Sequence, residues 1–355
     1  MPSKRFLIAG GGTGGHVIPG LAVARELRSR GHDVFFVGTE RGLESKLVPP
    51  EGFRLEKISI GGLNRVGLRQ KAATLVQLPL TTWGCRKYVR DAAAVFSMGG
   101  YVAGPPVMAA LLARKPVVVM EPNAVPGFTN RVISRWVSRA LINFPDTAMY
   151  FPHADLTGVP VREEFFRIPP KPRGDVLNLL ITGGSQGSMT LNLAAQQMWS
   201  RFIDHGIPVR IVHQAGRSRA DAIARMFSDT GLAGEVVPYI ADMSSAFAQA
   251  DLVISRAGAS TVSELAAAGR PSILVPFPYA ADDHQTRNAE AMERCGAARM
   301  VRDSELDGEK LFATIQELCA PDTLARMARS ARQFARPGAA SRAAGILEEV
   351  AVPER

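Results

Sequence analysis

The residues of this chain best suited to chemistry gather at glycine-rich turns. In GGGTGGH at 10–16, His16 directly follows Gly14 and Gly15, where the turn is expected to run into a helix. The positive end of a helix dipole lowers an imidazole pKa and keeps the ring neutral. His16 can then accept a proton as a general base or contact a phosphate, or it can simply cap and pack. A second turn, SRAGAST at 255–261, leads from an apolar strand into a helix that carries Glu264 one turn in. Unpaired N–H groups at such a helix start suit a diphosphate. Glu264 can accept hydrogen bonds from two ribose hydroxyls, as the acid of dinucleotide sites does, or serve only the helix dipole. Behind this helix a polar loop is expected to end in His284, Gln285 and Asn288.

Other polar groups are more ambiguous. EPNAVPGFTN at 121–130 follows an apolar strand, so Glu121 and Asn123 can contact a sugar, or form an ordinary turn with Pro122 and Pro126. GVPVR at 158–162 ends in Arg162, placed for an anionic group or merely exposed. His213 ends a strand and is assigned a structural role, whereas His32, His153 and His205 are expected in surface or loop positions.

Several chemistries are excluded. Gly10, Gly12 and Gly15 satisfy GxGxxG, but the next strand ends VFFVGTE with its acid late, and no Lys-Ser or Lys-Thr follows the turn. Neither NAD nor ATP is supported. No acidic pair stands at a strand end to hold a divalent ion for a diphosphate, and Asp282 and Asp283 lie in a loop without further ligands. The reading is therefore of no cofactor and no required metal.

These turns need strands before them and helices after them. Apolar runs near 6–9, 33–37, 95–98 and 117–120 alternate with helix-like segments, the first helix being expected from about Pro19 to Arg30. At Leu177 the pattern restarts. GGTGG at 11–15 matches GGSQG at 183–187, and FSMGGYVAGPPVMAALLARKPVVV at 96–119 matches ISRAGASTVSELAAAGRPSILVP at 254–276. Two matches in the same order indicate an α/β chain with two Rossmann-like doubly wound domains, whose strand C-terminal ends face a cleft. The expected boundaries are 1–163, 164–336 after the Pro-rich junction RIPPKPRGD, and a last helix within 337–355 that can cross back to the first domain.

The 355 residues, 46% hydrophobic and 21% charged, suit two globular cores. Three cysteines without metal-type spacing suggest a reducing, cytoplasmic setting. The opening MPSKRFLIAGGG enters a strand at once, so no signal peptide is expected, and no apolar run is long enough to span a bilayer. Charge is unevenly shared: residues 1–160 hold 20 of the 42 Lys and Arg but only 10 of the 33 Asp and Glu. The excess of +9 thus lies in the N-terminal half, which points to an anionic partner or to a basic but merely soluble domain. Within it, LNRVGLRQKAATLVQLPLTTWGCRKYVR at 63–90 mixes Leu68, Leu75, Val76, Leu78, Leu80 and Trp83 with Arg65, Arg69, Lys71, Arg86, Lys87 and Arg90. Such a mixture suits a surface leaning on anionic lipid, or an amphipathic helix packed on the sheet.

Taken together, GGTGGHVIPGLAVA, FSMGGYVAGPP, EPNAVPGFTN, GVPVR, TGGSQGS, SRAGASTVSELAAAGRP and DDHQTRNA, in this order over essentially the whole chain, resemble the MurG family. The resemblance implies a glycosyltransferase-B fold. It also implies inverting transfer of N-acetylglucosamine from UDP-N-acetylglucosamine to the 4-hydroxyl of undecaprenyl-pyrophosphoryl-N-acetylmuramyl-pentapeptide, in peptidoglycan synthesis, peripherally at the cytoplasmic membrane face. Thr13, Gly14, Gly15 and Asn123 would approach the donor sugar and diphosphate. Arg162, Ser185, Ile240, Ala259, Ser260, Thr261, Val262, Ser263, Glu264 and Gln285 would line the nucleotide, with Glu264 on the ribose. His16 would be the general base or position the acceptor, with Tyr101 and Glu121 near the acceptor. Pro122 stands where the family usually has Gln, removing a side-chain amide and a backbone donor. Leu68, Leu75, Leu78, Trp83, Arg86 and Lys87 would meet the anionic lipid surface. Cell-wall synthesis proteins are the implied protein partners, and nucleic acid is not a partner. The rival readings are a non-hydrolysing UDP-N-acetylglucosamine 2-epimerase and a non-catalytic lipid- or nucleotide-binding scaffold.

Overall fold

Strands made almost wholly of Val, Ile, Leu, Phe and Ala, with no polar face, belong in a parallel sheet covered by helices on both sides. In the computed structural model, which describes residues 2–12, 14–61 and 68–351 and the side chains of these apart from 68–75, strands of this kind form the middle of two parallel sheets, and more polar strands such as Arg54–Ile58 and Ala233–Val237 lie at their edges. Each sheet lies in one of two compact units, residues 1–160 with 338–355 and residues 161–337.

The first unit has seven strands: β1 (Arg5–Ala9), β2 (Asp33–Thr39), β3 (Arg54–Ile58), β4 (Ala94–Ser97), β5 (Val117–Glu121), β6 (Arg139–Ile142) and β7 (Ala154–Leu156). Their order is β3-β2-β1-β4-β5-β6-β7, so the winding reverses between β1 and β4, where Ala9 pairs with Ser97. The loops leaving these two strands therefore open onto one crevice, the place where doubly wound sheets bind ligands. Around the sheet run α1 (Gly14–Ser29), α2 (Glu44–Leu47), α3 (Leu68–Val89), α4 (Gly100–Leu112) and α5 (Phe128–Ile133). The C-terminal helix, Ala339–Val350, adds Ala343, Ala344 and Leu347 to the core formed by Leu21, Leu27, Phe36 and their neighbours.

The second unit repeats the plan with β8 (Leu177–Thr182), β9 (Val209–Gln214), β10 (Ala233–Val237), β11 (Leu252–Ser255), β12 (Ser272–Leu274) and β13 (Ala298–Met300), ordered β10-β9-β8-β11-β12-β13. Here the reversal falls between β8 and β11, which pair from Leu179 and Leu252 to Thr182 and Ser255. Helices α6 (Glu163–Phe166), α7 (Met189–Asp204), α8 (Ala220–Ser228), α9 (Met243–Gln249), α10 (Ala259–Ala268) and α11 (His284–Arg294) belong to this unit. Each of these sheets is of the Rossmann-like doubly wound kind expected.

Three local expectations need correction. Helix α1 starts at Gly14 rather than near Pro19. Pro19 is instead enclosed in the second turn, where it forfeits only the bond to the Gly15 carbonyl. His284, Gln285 and Asn288 sit in α11 rather than in a loop; the left-handed backbone at Asp282 and Asp283 turns the chain sharply into that helix. His32 is buried, not superficial: its Nδ1 accepts from the Lys4 amide at 3.2 Å and its Nε2 lies 2.9 Å from Glu348, tying the C-terminal helix to β2.

Candidate active site

In the first unit the chain leaves β1 through Gly10, Gly11 and Gly12 and enters α1 at Gly14. His16 lies in the first turn of α1, partly buried, with Nδ1 3.3 Å from the Gly11 carbonyl oxygen. That spacing favours the tautomer with the proton on Nδ1, which carries its lone pair on Nε2. The crevice partner of this turn is the loop after β4. Gly99 and Gly100 both take positive φ (77° and 75°), and a Cβ on Gly100 would stand 3.2 Å from His16 Cε1 and Nδ1. Tyr101, the second residue of α4, is partly exposed, and its ring edge would touch a Cβ on Gly12 at 3.5 Å. The fold thus brings His16 and Tyr101, far apart in sequence, to one glycine turn.

Glu121 is placed differently. It ends β5, is 1% exposed, and points into its own loop. Oε1 accepts from the backbone N–H (3.0 Å) and side-chain amide (3.2 Å) of Asn123, and Oε2 accepts from the Gly127 N–H (3.1 Å) and Asn130 Nδ2 (2.9 Å). Burial pushes its pKa up against these donors. Asn130, which also gives its amide to the Met120 carbonyl at 3.1 Å, packs beneath Gly99. Glu121 and Asn130 together fix the 121–127 loop on which Asn123 stands partly exposed. The Pro122 carbonyl accepts from Asn143 Nδ2 at 3.3 Å, so this position is held from the next strand.

In the second unit GGSQGS leaves β8 so tightly that a Cβ on Gly183 would overlap Ser188, and one on Gly187 would overlap the Ala215 carbonyl. Ser185 is exposed at the tip, and Ser188 caps α7 by accepting from the Leu191 N–H at 3.3 Å. The turn rests on two groups that the sequence reading missed. Arg256, just past β11, donates Nη2 to Ser188 Oγ (2.6 Å) and Nη1 to the carbonyls of Val275 (3.2 Å) and Pro276 (3.1 Å), and pairs with Asp303. Gln214, at the end of β9, donates to the Gly184 carbonyl at 2.8 Å while its Oε1 accepts the Ile240 N–H at 2.8 Å. An amide at a strand end beside a glycine turn is the signal that would have revealed Gln214.

Helix α10 starts at Ala259 with Gly258 extended before it, so the Ala259, Ser260 and Thr261 amides lie in its first turn; Val262 is the first to bond back, to the Gly258 carbonyl at 2.9 Å. Val262 and Ser263 are buried, and Glu264 is partly buried on the second turn. Burial raises the Glu264 carboxyl to about 7, while the Arg162 guanidinium draws it down and Glu164 pushes it up. Arg162 is exposed, pairs with Glu164 at 2.8 Å and stacks 4.8 Å from the Phe165 ring. Gln285 joins the loops after β11 and β12: its Oε1 accepts the Ala257 (3.2 Å) and Phe277 (3.0 Å) amides. Thr13 lies outside the described residues. Among the described residues no group of three or more His, Cys, Asp or Glu side chains is arranged to hold a metal ion.

Two glycine-turn units with a base candidate in one and a partly buried carboxylate in the second turn of a helix in the other fit a nucleotide-sugar enzyme. Residues 6–142 match the glycosyltransferase family 28 N-terminal domain, and residues 178–343 match its C-terminal domain. The chain belongs to glycosyltransferase family 28. It is 68% identical to the UDP-N-acetylglucosamine--N-acetylmuramyl-(pentapeptide) pyrophosphoryl-undecaprenol N-acetylglucosamine transferase of Solibacter usitatus (strain Ellin6076), over 98% of this chain and 96% of that one. It is 40% identical to the protein of the same name from Myxococcus xanthus (strain DK1622), over 98% of this chain and 93% of the relative. The crystal structure of Acinetobacter baumannii MurG superposes with a TM-score of 0.81 at 34% identity, covering 98% of this chain and 99% of that chain. The glycosyltransferase-B fold and membership of the MurG family, implied by the motifs, both hold. The family 28 chain is an enzyme, a UDP-N-acetylglucosamine-dependent glycosyltransferase.

Proposed function

We propose that this chain moves N-acetylglucosamine from UDP-N-acetylglucosamine to the 4-hydroxyl of undecaprenyl-pyrophosphoryl-N-acetylmuramyl-pentapeptide. The 68% identity to a transferase of that name over 98% of the chain carries this reading. The acceptor oxygen attacks the anomeric carbon as the bond to the UDP phosphate breaks, inverting the centre. The acceptor proton passes to a base and UDP leaves with the bonding electrons.

His16 is the proposed base, with Nε2 as the accepting nitrogen and Tyr101 beside the acceptor. Removing an acceptor proton in this way is worth about 10²–10⁴ in rate. Glu121 lies near the acceptor and fixes the loop bearing Asn123, which approaches the donor sugar and diphosphate with Thr13, Gly14 and Gly15. In the nucleotide unit, the first-turn amides of α10 and the exposed Ser185 turn bind the diphosphate and meet the charge that grows on it. Glu264 accepts the ribose hydroxyls, Ile240 lines the base, and Arg162 and Gln285 complete the lining.

A membrane face is proposed in the first unit. On α3, Val76, Leu80 and Trp83 are exposed beside the exposed cations Arg86, Lys87 and Arg90, Leu78 is half-buried, and the Arg86 guanidinium stacks 4.6 Å from the Trp83 ring. The side chains of Leu68, Arg69, Lys71 and Leu75, and all of Arg65, lie outside the described residues. Helix α3 packs on α4 and α4 on α5, and these neighbours expose Leu112, Phe128, Val132 and, just beyond α5, Trp136. Among the described residues no helix is long and apolar enough to cross a membrane. A basic, aromatic face of this kind suits peripheral binding to anionic lipid on the cytoplasmic side, where the lipid-linked acceptor and other cell-wall synthesis proteins would be met.

The test is release of UDP from UDP-N-acetylglucosamine in EDTA, with and without a short-chain analogue of the lipid acceptor. Acceptor-dependent release with a disaccharide product is expected. No release from a folded protein that binds the donor would return the epimerase reading.

A further inference from the structure

One fully buried carboxylate in the first unit lies outside every motif discussed above. Glu44 opens the short helix α2 and is 0% exposed. Its Oε2 accepts the Gly12 N–H at 2.8 Å, and its Oε1 accepts both the N–H and the Oγ1–H of Thr39 at 2.7 Å. The space it fills is shaped by missing side chains: a Cβ on Gly11, Gly38 or Gly42 would overlap Glu44. Three glycines from three segments, the β1 turn, the end of β2 and the loop before α2, thus surround one carboxylate. A charge in that position is costly unless every lone pair finds a donor. Burial pushes the Glu44 pKa up, and the Gly12 and Thr39 donors more than offset it, so the group stands below the usual carboxylate range.

The turn it grips is the one that holds His16. Gly12, whose amide Glu44 takes, has φ 85° and adjoins Gly11, whose carbonyl oxygen lies 3.3 Å from His16 Nδ1. A carboxylate anchored to β2 through Thr39 therefore sets where the Gly11 carbonyl points. That carbonyl in turn sets which imidazole nitrogen bears the proton.

We propose that Glu44 is a positioning residue for the transfer reaction, locking the 10–12 turn so that the Gly11 carbonyl holds His16 in the Nδ1–H tautomer. The proposal rests on the reading of His16 as the base, deepens it, and places no contact between Glu44 and substrate. Its chemistry is that of an outer carboxylate acting through backbone, since Gly11 stands between it and the ring.

The experiment uses full-length protein with ¹⁵N-labelled histidine, the His16 signals being assigned from His16→Gln. Three quantities are read: the His16 ring nitrogen shifts, kcat with the lipid acceptor analogue, and Kd for UDP. In Glu44→Gln, the side-chain amide sets an NH2 against a backbone or Thr39 donor. The His16 shifts should move from the Nδ1–H pattern toward a tautomer mixture, kcat should fall by about 10–100-fold, and UDP affinity should stay within about twofold. Gly42→Ala should act in the same direction, because the added methyl displaces the carboxylate while every hydrogen-bonding group remains; it decides the matter if Glu44→Gln does not fold. Wild-type ring shifts in the folded variants would overturn the clamp itself. Unchanged kcat in His16→Gln would instead overturn the base assignment, and with it the catalytic part of the proposal.

Discussion

The imidazole of His16 lies against Gly100: a Cβ built there would come 3.2 Å from both Cε1 and Nδ1 of the ring. The contact joins the β1 turn to the β4 turn across the crevice where the first sheet changes winding direction. Gly100→Ala is expected to push the ring off the Gly11 carbonyl and to place a methyl-bearing residue at φ 75°. The backbone strain costs about 1–2 kcal/mol, and turnover should drop about tenfold or more with UDP affinity kept. Thermal unfolding and steady-state kinetics read the two effects separately. A destabilised variant with wild-type kcat would mean that the ring's position does not matter to the reaction.

His16→Ala should lower kcat by about 10²–10⁴-fold while UDP binding stays within about twofold, because the uracil and ribose are assigned to the other unit and no UDP contact is assigned to the imidazole. Calorimetric titration with UDP beside turnover with the acceptor analogue makes the comparison. Matched losses of both quantities would remove the general-base role.

The turns were legible because each is local: Gly10 to His16, Gly183 to Ser188 and Ser255 to Glu264 carry strand end, glycine and helix start within a few residues of one another. Strand runs such as FLIA, and LNLLIT with only Asn178 and Thr182 polar, imply burial on both faces and hence the parallel sheets. What stayed hidden depends on distant partners. Glu44 reads as one acid in a polar loop until β2 folds beside β1 and brings Gly12, 32 residues away, onto its carboxylate. Gln214 and Arg256 support the GGSQGS turn from β9 and from beyond β11, positions related to it only through the sheet. His32 offered no periodicity by which its burial under Glu348, 316 residues on, could be read. Glu121 was visible as a strand-end acid, but its inward direction comes from Asn130, which is itself placed by α5.

Glu264 should make donor binding and stability respond to pH with opposite signs. Its folded carboxyl titrates at about 7, raised from 4.5 chiefly by burial. A raised value means that the folded protein holds the proton more tightly than the unfolded chain. The stabilising contribution is therefore complete below pH 4.5 and is lost as pH rises through about 7. Ribose hydroxyls, by contrast, donate to the ionised carboxylate, so UDP affinity should climb by about tenfold between roughly pH 6 and 8. Glu264→Gln should flatten both trends and bind UDP more weakly at high pH. Thermal melts of the ligand-free protein and UDP titrations across this range provide the check, and a UDP affinity that falls with rising pH would count against the ribose assignment.

The exposed face of α3 should govern attachment to anionic vesicles without touching the nucleotide unit. Arg86 and Lys87 are exposed at the helix end, and Trp83 is 70% exposed one turn earlier. Cations near an anionic bilayer contribute about 1 kcal/mol each. Replacing both with glutamate removes two attractions and adds two repulsions, so binding to vesicles rich in anionic lipid should fall by well over about tenfold. Trp83→Ala should weaken binding to anionic and zwitterionic vesicles alike, since its contribution is apolar and interfacial. Sedimentation with the two vesicle types, at low and at high salt, separates these terms because only the charged one is screened. UDP affinity should be unchanged in all variants, whereas turnover on a long-chain acceptor in vesicles should follow vesicle binding. Wild-type vesicle binding by Arg86→Glu/Lys87→Glu would move the proposed membrane face away from the end of α3.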